Sequence, residues 1–251
     1  MATVPATGTD PAARTVPSAR TVAPYLGSLL VSSLIDGVLR HRLFMDLLQA
    51  PPMASGMGAM GLGALGTLYR LCLGVFWLWF VAWILPGLLR GHTPSRRVLR
   101  WFGLLATLQF VVNAVAINLA LVFAHVGSYT LLMEGIGLYV VIGLIFVFWY
   151  WYFDYPLRGQ SLEAEGTAAS GVPPGVLFPE EAFEGLAYGT NRWTPGFIDY
   201  LFFAMVASNT FGAPEGHGVL GARLKLAHMV HSLCTTAIFI VIVARAINTL
   251  I

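Results

Sequence analysis

The chain has 251 residues, of which 57% are hydrophobic and only 10% charged, with a net charge of +2. Soluble domains carry roughly 25% charge, and a soluble fold does not hide this much apolar surface, so the composition points to a protein built into a lipid bilayer. So small a net charge argues for neither nucleic acid nor an anionic membrane surface as the main partner.

Residues 1–24 are rich in Ala, Thr and Pro and lack the continuous apolar core of a secretory signal, so they read as a disordered cytoplasmic tail. Residues 25–50 then repeat Leu26, Leu30, Leu34 and Val38, followed by Leu39, Leu43 and Leu47, at helical spacing. Asp36, Arg40, His41, Arg42 and Asp46 interrupt this pattern, which makes a poor span. An amphipathic interfacial helix is expected instead, supported by Asp36 with Arg40 and Arg42 with Asp46 as i,i+4 pairs. Pro51 and Pro52 end it, and the Ala-, Gly- and Met-rich stretch 54–66 suits close helix packing at the start of the first span.

A spanning helix needs about 20 mainly apolar residues. The runs Tyr69 to Leu89, Trp101 to Ala124, Tyr129 to Phe153 and Leu224 to Ile251 meet that length. Within them Cys72 and Cys234 act as small apolar residues and imply no disulfide framework. Arg90, Arg96, Arg97 and Arg100 crowd the first connection, whereas His125 to Ser128 carries no Lys or Arg, which puts the 90–100 loop on the cytoplasmic side. Gln109, Asn113 and Asn118 in the second span read as interhelical hydrogen-bonding groups. Glu134 is an intramembrane acid that needs either a structural partner, such as His125, or a role in conduction or proton movement. The aromatic run 148–153 fits an interfacial belt or a subunit contact. Residues 154–194 are polar and rich in Gly and Pro, and are expected to form an extramembrane loop. The three-span membrane region is thus 51–153.

Thr194 is a suitable N-cap and Pro195 suits the first helical position, so a helix is expected to begin there. The stretch from Phe197 to Ser208 gives about 18 Å at the helical rise, which is half a bilayer. Asn209, Thr210 and a Gly/Pro-rich loop follow, then a full-length apolar run. Half-helix, loop and full helix is the layout of a re-entrant loop, tolerated at membrane depth only where protein or water covers the backbone.

In this segment, residues 195–251, the chain resembles the pore module of the potassium-channel superfamily, whose pattern is a pore helix, TTVGYGD and an inner helix. Asn209, Thr210, Phe211, Gly212, Ala213, Pro214 and Glu215 fall on those seven positions in order, and Arg223 and the pair Ala244-Arg245 match further positions. A vaguer likeness extends to bacterial four-span membrane proteins with the same ending. The resemblance implies an oligomeric cation pore in a bacterial plasma membrane, with Asn209, Thr210, Phe211, Gly212, Ala213 and Glu215 at the filter. Its departures, Ala213 in place of the aromatic residue and Pro214 in place of the second glycine, imply that the pore is not potassium-selective. His228, Ser232 and Thr235 are candidates to line it, with His231 beside them.

No HExxH, CxxC, P-loop, nucleophile elbow or dinucleotide fingerprint occurs, so neither an enzyme nor a cofactor is expected. A metal site from Asp36, His41, His125 and Glu134 is disfavoured, because Asp36 and His41 lie about 500° apart around a helix. The sequence therefore reads as an all-α integral membrane protein with four transmembrane helices, an N-terminal interfacial helix and a re-entrant pore-loop half-helix. Its expected partners are the bilayer and either further copies of itself or a larger membrane complex. The competing expectation is a non-conducting accessory or scaffold subunit.

Overall fold

The computed structural model describes residues 18–49, 57–123, 128–165, 175–183, 193–210 and 212–248. Helix α1 (Ala19–Gln49) is followed by α2 (Met57–Trp79), which passes through a π-helical turn (Phe80–Ile84) into the short α3 (Leu85–Leu89). Then come α4 (Arg96–Phe123), α5 (Ser128–Glu165), strand β1 (Val176–Leu177), a 3-10 turn (Pro179–Phe183), α6 (Phe197–Thr210), strand β2 (Gly218–Val219) and α7 (Ala222–Asn248). Among the described residues, the segments Ala19–His41, Gly63–Leu89, Arg96–Asn118 and Leu132–Arg158 are long and apolar enough to cross a membrane. The chain is thus a helical integral membrane protein.

The π-helical turn has a local cause. Pro86 has no N–H to donate and its ring crowds the preceding turn, so the helix widens just before it and restarts with Pro86 in its first turn.

Helix α5 is the hub, with α1, α4, α6 and α7 all packed against it. Its aromatic run is not an interfacial belt: Phe148, Trp149, Tyr150, Trp151 and Tyr152 are all buried, facing different neighbours. A helix that is apolar all round belongs in the interior of a bundle, and α5 is that helix here. Tyr25 of α1 stacks on Trp151 with ring centroids 4.4 Å apart. Thr107 of α4 accepts a hydrogen bond from Trp149 Nε1 at 3.0 Å. Phe146 stacks on His231 of α7 at 4.2 Å. Small residues let the helices approach. A Cβ on Gly103 would fall inside van der Waals contact of the Phe148 ring and 3.1 Å from Trp149. A Cβ on Gly135 would lie 2.6 Å from Ile242 of α7.

The expectation of an interfacial helix at residues 25–50 is corrected. Helix α1 begins at Ala19, inside the expected tail, and lies in the bundle against α5 and α4. Val22, Tyr25, Leu26 and Leu29 are buried, and so are Ser28, Ser32, Ser33, Asp36 and Arg40. Its polar groups face other helices rather than water, with Ser28 and Ser32 donating to the carbonyls of Tyr25 and Leu29. In addition, α5 continues to Glu165, so the polar connection after Asp154 begins as helix rather than loop.

Gly103→Val is expected to force the Phe148 and Trp149 rings off their packed positions and to destabilise the protein by about 1–3 kcal/mol. Thermal unfolding of the purified protein in detergent, compared with Gly63→Val at a position with open space around it, measures this.

Candidate functional site

The most distinctive local geometry surrounds α6. Its first turn is held by Asp154 of α5, which is fully buried. Asp154 Oδ2 accepts from the Tyr200 hydroxyl at 2.5 Å and from Arg158 Nε at 2.5 Å, while Oδ1 accepts from the backbone N–H groups of Gly175 at 2.6 Å and Val176 at 2.9 Å. Arg158 also donates to the Val176 carbonyl and pairs with Glu181 at 2.7 Å. One carboxylate thus ties α5, α6 and β1 together, and all of its acceptor capacity is engaged. At the start of α6, the N–H of Gly196 donates to Asp199 Oδ2 at 2.6 Å, capping the helix with an acid where the helix dipole favours one.

From there α6 runs antiparallel along α5. Phe203 meets the Tyr150 ring edge-on at 4.7 Å, and at the far end the Tyr139 hydroxyl donates to Asn209 Oδ1. Between Tyr200 and Asn209 α6 therefore descends about 14 Å at the helical rise. The chain then comes back: β2 pairs antiparallel with β1, Val219 opposite Val176 and Gly218 opposite Leu177. The return includes a turn in which His217 N donates to the Pro214 carbonyl at 3.0 Å, with Gly216 at φ +79. That positive φ at the third turn position is the type II signature and requires a glycine. Gly221, at φ +80, then leads into α7, whose Lys225 N–H donates back to it.

Between α5, α6 and α7 lies a buried polar chain. His231 is fully buried, with Nδ1 2.9 Å from the Tyr150 hydroxyl and Nε2 2.8 Å from Ser208 Oγ. His228 Nδ1 lies 3.1 Å from the same Tyr150 oxygen, and Ser208 donates to the Ala204 carbonyl at 3.0 Å. Each hydroxyl has one proton, so the directions follow in turn. With the serine proton on Ala204, His231 Nε2–H donates to Ser208, Tyr150 donates to His231 Nδ1, and His228 Nδ1–H donates to Tyr150.

A second polar group lies between α1, α2, α4 and α5. Asn113 Nδ2 donates to Asp36 Oδ1 at 2.6 Å. Arg40 sits over the Tyr69 ring at 5.9 Å from its centroid, within electrostatic reach of Glu134 and Asp36. Gln109 and Glu134 are each only 1% exposed. The pair Asp36 and Asn113 is 77 residues apart in sequence, so only the packing of α1 against α4 brings them together.

The residues singled out in the sequence fall as follows. Asn209, Thr210, Ala213 and Glu215 are exposed, and Gly212 is half-buried. Thr210 Oγ1 lies 2.9 Å from the carbonyl oxygens of both Val206 and Gly212. Phe211 and His125 lie outside the described residues. Of the α7 group, His228 is half-buried on Tyr150, Ser232 is half-buried, and Thr235 is buried and donates to the His231 carbonyl at 2.9 Å. Glu134 belongs to the α1/α2/α4/α5 group, away from α6. Sequence reasoning missed Tyr150, Asp154 and Tyr200. In the sequence Tyr150 is one of six consecutive aromatic residues and Asp154 opens a polar stretch, so neither carries a local signal. Comparison with protein-family models, with curated proteins and with solved structures finds no match for this chain.

Tyr150→Phe removes the one hydroxyl shared by two imidazoles and leaves His231 Nδ1 buried without a donor. It is expected to cost about 1–3 kcal/mol, read as a lowered Tm against an exposed control such as Tyr129→Phe. For the second group, Asn113→Leu alone takes the amide donor from the buried Asp36 carboxyl, whereas Asp36→Leu with Asn113→Leu removes both partners. The double variant is expected to be more stable than the sum of the single losses predicts, with a coupling of about 0.5–3 kcal/mol from a double-mutant cycle of unfolding in detergent.

Proposed function

We propose that α5, α6, the loop 212–221 and α7 form a re-entrant pore module, and that the protein is a channel-like, oligomeric membrane protein for cations without potassium selectivity. The observation that carries this reading is the path of α6. It enters beside Asp154, ends beside Tyr139 a half-bilayer deeper along α5, and the chain then returns to pair with β1 at the level where it began.

The chemistry of that path favours cations. The C-terminal end of α6 brings its unpaired carbonyls, equivalent to about half a negative charge, to the inner end of the hairpin. Glu215 is exposed on the return, where a symmetric assembly makes it a ring of carboxylates. The reading excludes the usual potassium filter because Pro214 to His217 form a tight turn, which breaks the continuous row of carbonyls that such a filter needs.

Helix α7 serves as a further crossing in this reading. It is 27 residues long, runs beside α5, and exposes Leu226, Met229, Val230, Leu233 and Ile240 towards lipid or a second copy. With α1 crossing as well, the basic residues Arg96, Arg97, Arg100, Arg158, Arg223 and Lys225 gather at the end where α6 enters. By the positive-inside rule that end is cytoplasmic, so the pore loop enters from the cytoplasm.

Cation flux into liposomes reconstituted with the purified protein tests the reading. Wild-type protein is expected to carry monovalent cations with little preference for potassium over sodium, and Glu215→Gln to reduce the flux severalfold. Flux no greater than that of empty liposomes, from protein shown to be folded and oligomeric, would sink the channel reading and leave the accessory-subunit one.

A further inference from the structure

A groove at the basic end of the bundle, with a volume of about 500 Å³, is lined by Arg96, Arg97, Arg100, Tyr152, Phe153 and Arg223. The arginines come from two helix starts, three from the first turns of α4 and one from α7, which are brought together by the end of α5. They are exposed, and among the described residues none is ion-paired with a carboxylate. Asp154 is engaged by its four donors and Glu181 by Arg158. Arg96 is braced, donating from Nη2 to the Tyr152 carbonyl at 3.2 Å and lying 4.9 Å from the centroid of the Tyr152 ring, and Arg100 lies 6.0 Å from the centroid of the Trp101 ring. Four guanidinium groups gathered without a paired carboxylate among the described residues repel one another. An anion with several acceptor oxygens removes that cost, and guanidinium forks suit phosphate in particular.

A second observation selects the source of the phosphate. The groove sits where the candidate spanning segment Arg96–Asn118 begins and the segment Leu132–Arg158 nears its end, which is where a spanning helix meets lipid headgroups. Leading away from it, α4 exposes Trp101, Leu104, Leu108, Val111 and Val115 in one helical stripe, each 41–49% exposed. An apolar track that starts at a cluster of cations matches an acyl chain hanging below a phosphate. A soluble phosphate compound has no use for it.

We propose that this groove is a binding site for an anionic phospholipid, with the phosphate between Arg97, Arg100 and Arg223 and the acyl chains along the exposed face of α4. A lipid held there bridges α4 to the start of α7, which otherwise meet mainly through α5. The site stands independently of the pore reading, since it needs only the basic groove and the stripe beneath it.

The test is lipid binding to the full-length protein in detergent, followed by native mass spectrometry and by the thermal shift on adding phosphatidylglycerol, phosphatidylcholine or inorganic phosphate. Wild-type protein is expected to retain phosphatidylglycerol over phosphatidylcholine, to be stabilised by it, and to lose the preference as salt rises. Arg97→Gln with Arg100→Gln and Arg223→Gln is expected to weaken that binding about 100-fold, at roughly fivefold per arginine. A control variant, Arg90→Gln with Lys225→Gln, alters basic residues that do not line the groove and is expected to bind as wild type does. Equal phosphatidylglycerol binding by the wild type and the triple variant, or no preference over phosphatidylcholine, would overturn the site. Inorganic phosphate that stabilises the protein as well and displaces the lipid at millimolar concentration would overturn the lipid assignment.

Discussion

The buried carboxylate of Asp154 is the constraint on which the unusual half of the structure depends. A hairpin made of a half-helix and a returning strand has few backbone hydrogen bonds of its own to hold it in place. Its stability comes from what its two ends are tied to. Asp154 fixes the outer end by accepting from Tyr200 on α6 and from the backbone of β1, and β1 in turn pairs with the returning β2. Removing one partner from so buried a charge costs far more than an exposed ion pair is worth. The entry and exit of the hairpin are therefore fixed at one level, while its inner end is set by Tyr139 and Asn209.

Inside this frame the polar side chains lie at distinct depths along α5. Asp154 marks the outer level, Tyr150 with His231 and Ser208 the next, and Glu134 with Arg40 and Asp36 the far level on the other side of the helix. The two inner groups differ in kind. The histidine chain is a closed sequence of neutral donors and acceptors, in which every direction follows from the serine proton. The Asp36 group places ionisable side chains of both signs in the membrane interior, which is expensive unless they offset one another. It occurs where α1, α2, α4 and α5 converge, so four helices share the cost of one polar contact region.

Much of the bundle was legible in the sequence because composition and run length report directly on burial in lipid. The end of α6 near Asn209 was legible from the breaker-rich loop that follows, but its start was not: α6 begins at Phe197, after Gly196 and with Asp199 as its cap, rather than at the expected Thr194 cap and Pro195. Helix α1 was misread because Asp36, Arg40 and the serines look like a wet face when their partners are unknown. Asn113 comes from a helix far along the chain, and no local pattern links the two. Likewise the aromatic run of α5 looks the same on paper whether it lies at an interface or in a core. Only the packing of α1, α4 and α7 around it decides, and that is a long-range property. The basic groove was half legible: Arg96, Arg97 and Arg100 marked an orientation, but Arg223 joins them only in three dimensions.

The placement of α1 also repairs a parity problem in the sequence reading. A cytoplasmic tail and a cytoplasmic 90–100 loop require the chain to cross the bilayer an even number of times between them. An interfacial helix followed by one span gives an odd number. With α1 crossing in one direction and α2 through α3 in the other, both ends of this segment fall on the same side, the side of Arg96, Arg97 and Arg100. In the proposed reading the same count leaves the α6 hairpin opening towards the cytoplasm. Adding a crossing before Arg90 cannot move it, because α6 is positioned relative to α5 and α5 relative to that arginine loop. An entry from the opposite face would demand that the basic end of the bundle, with its groove of four unpaired arginines, lie outside the cell. Helix packing ties the entry of α6 to the arginine end, and in the proposed reading the charge distribution alone assigns that end to the cytoplasm.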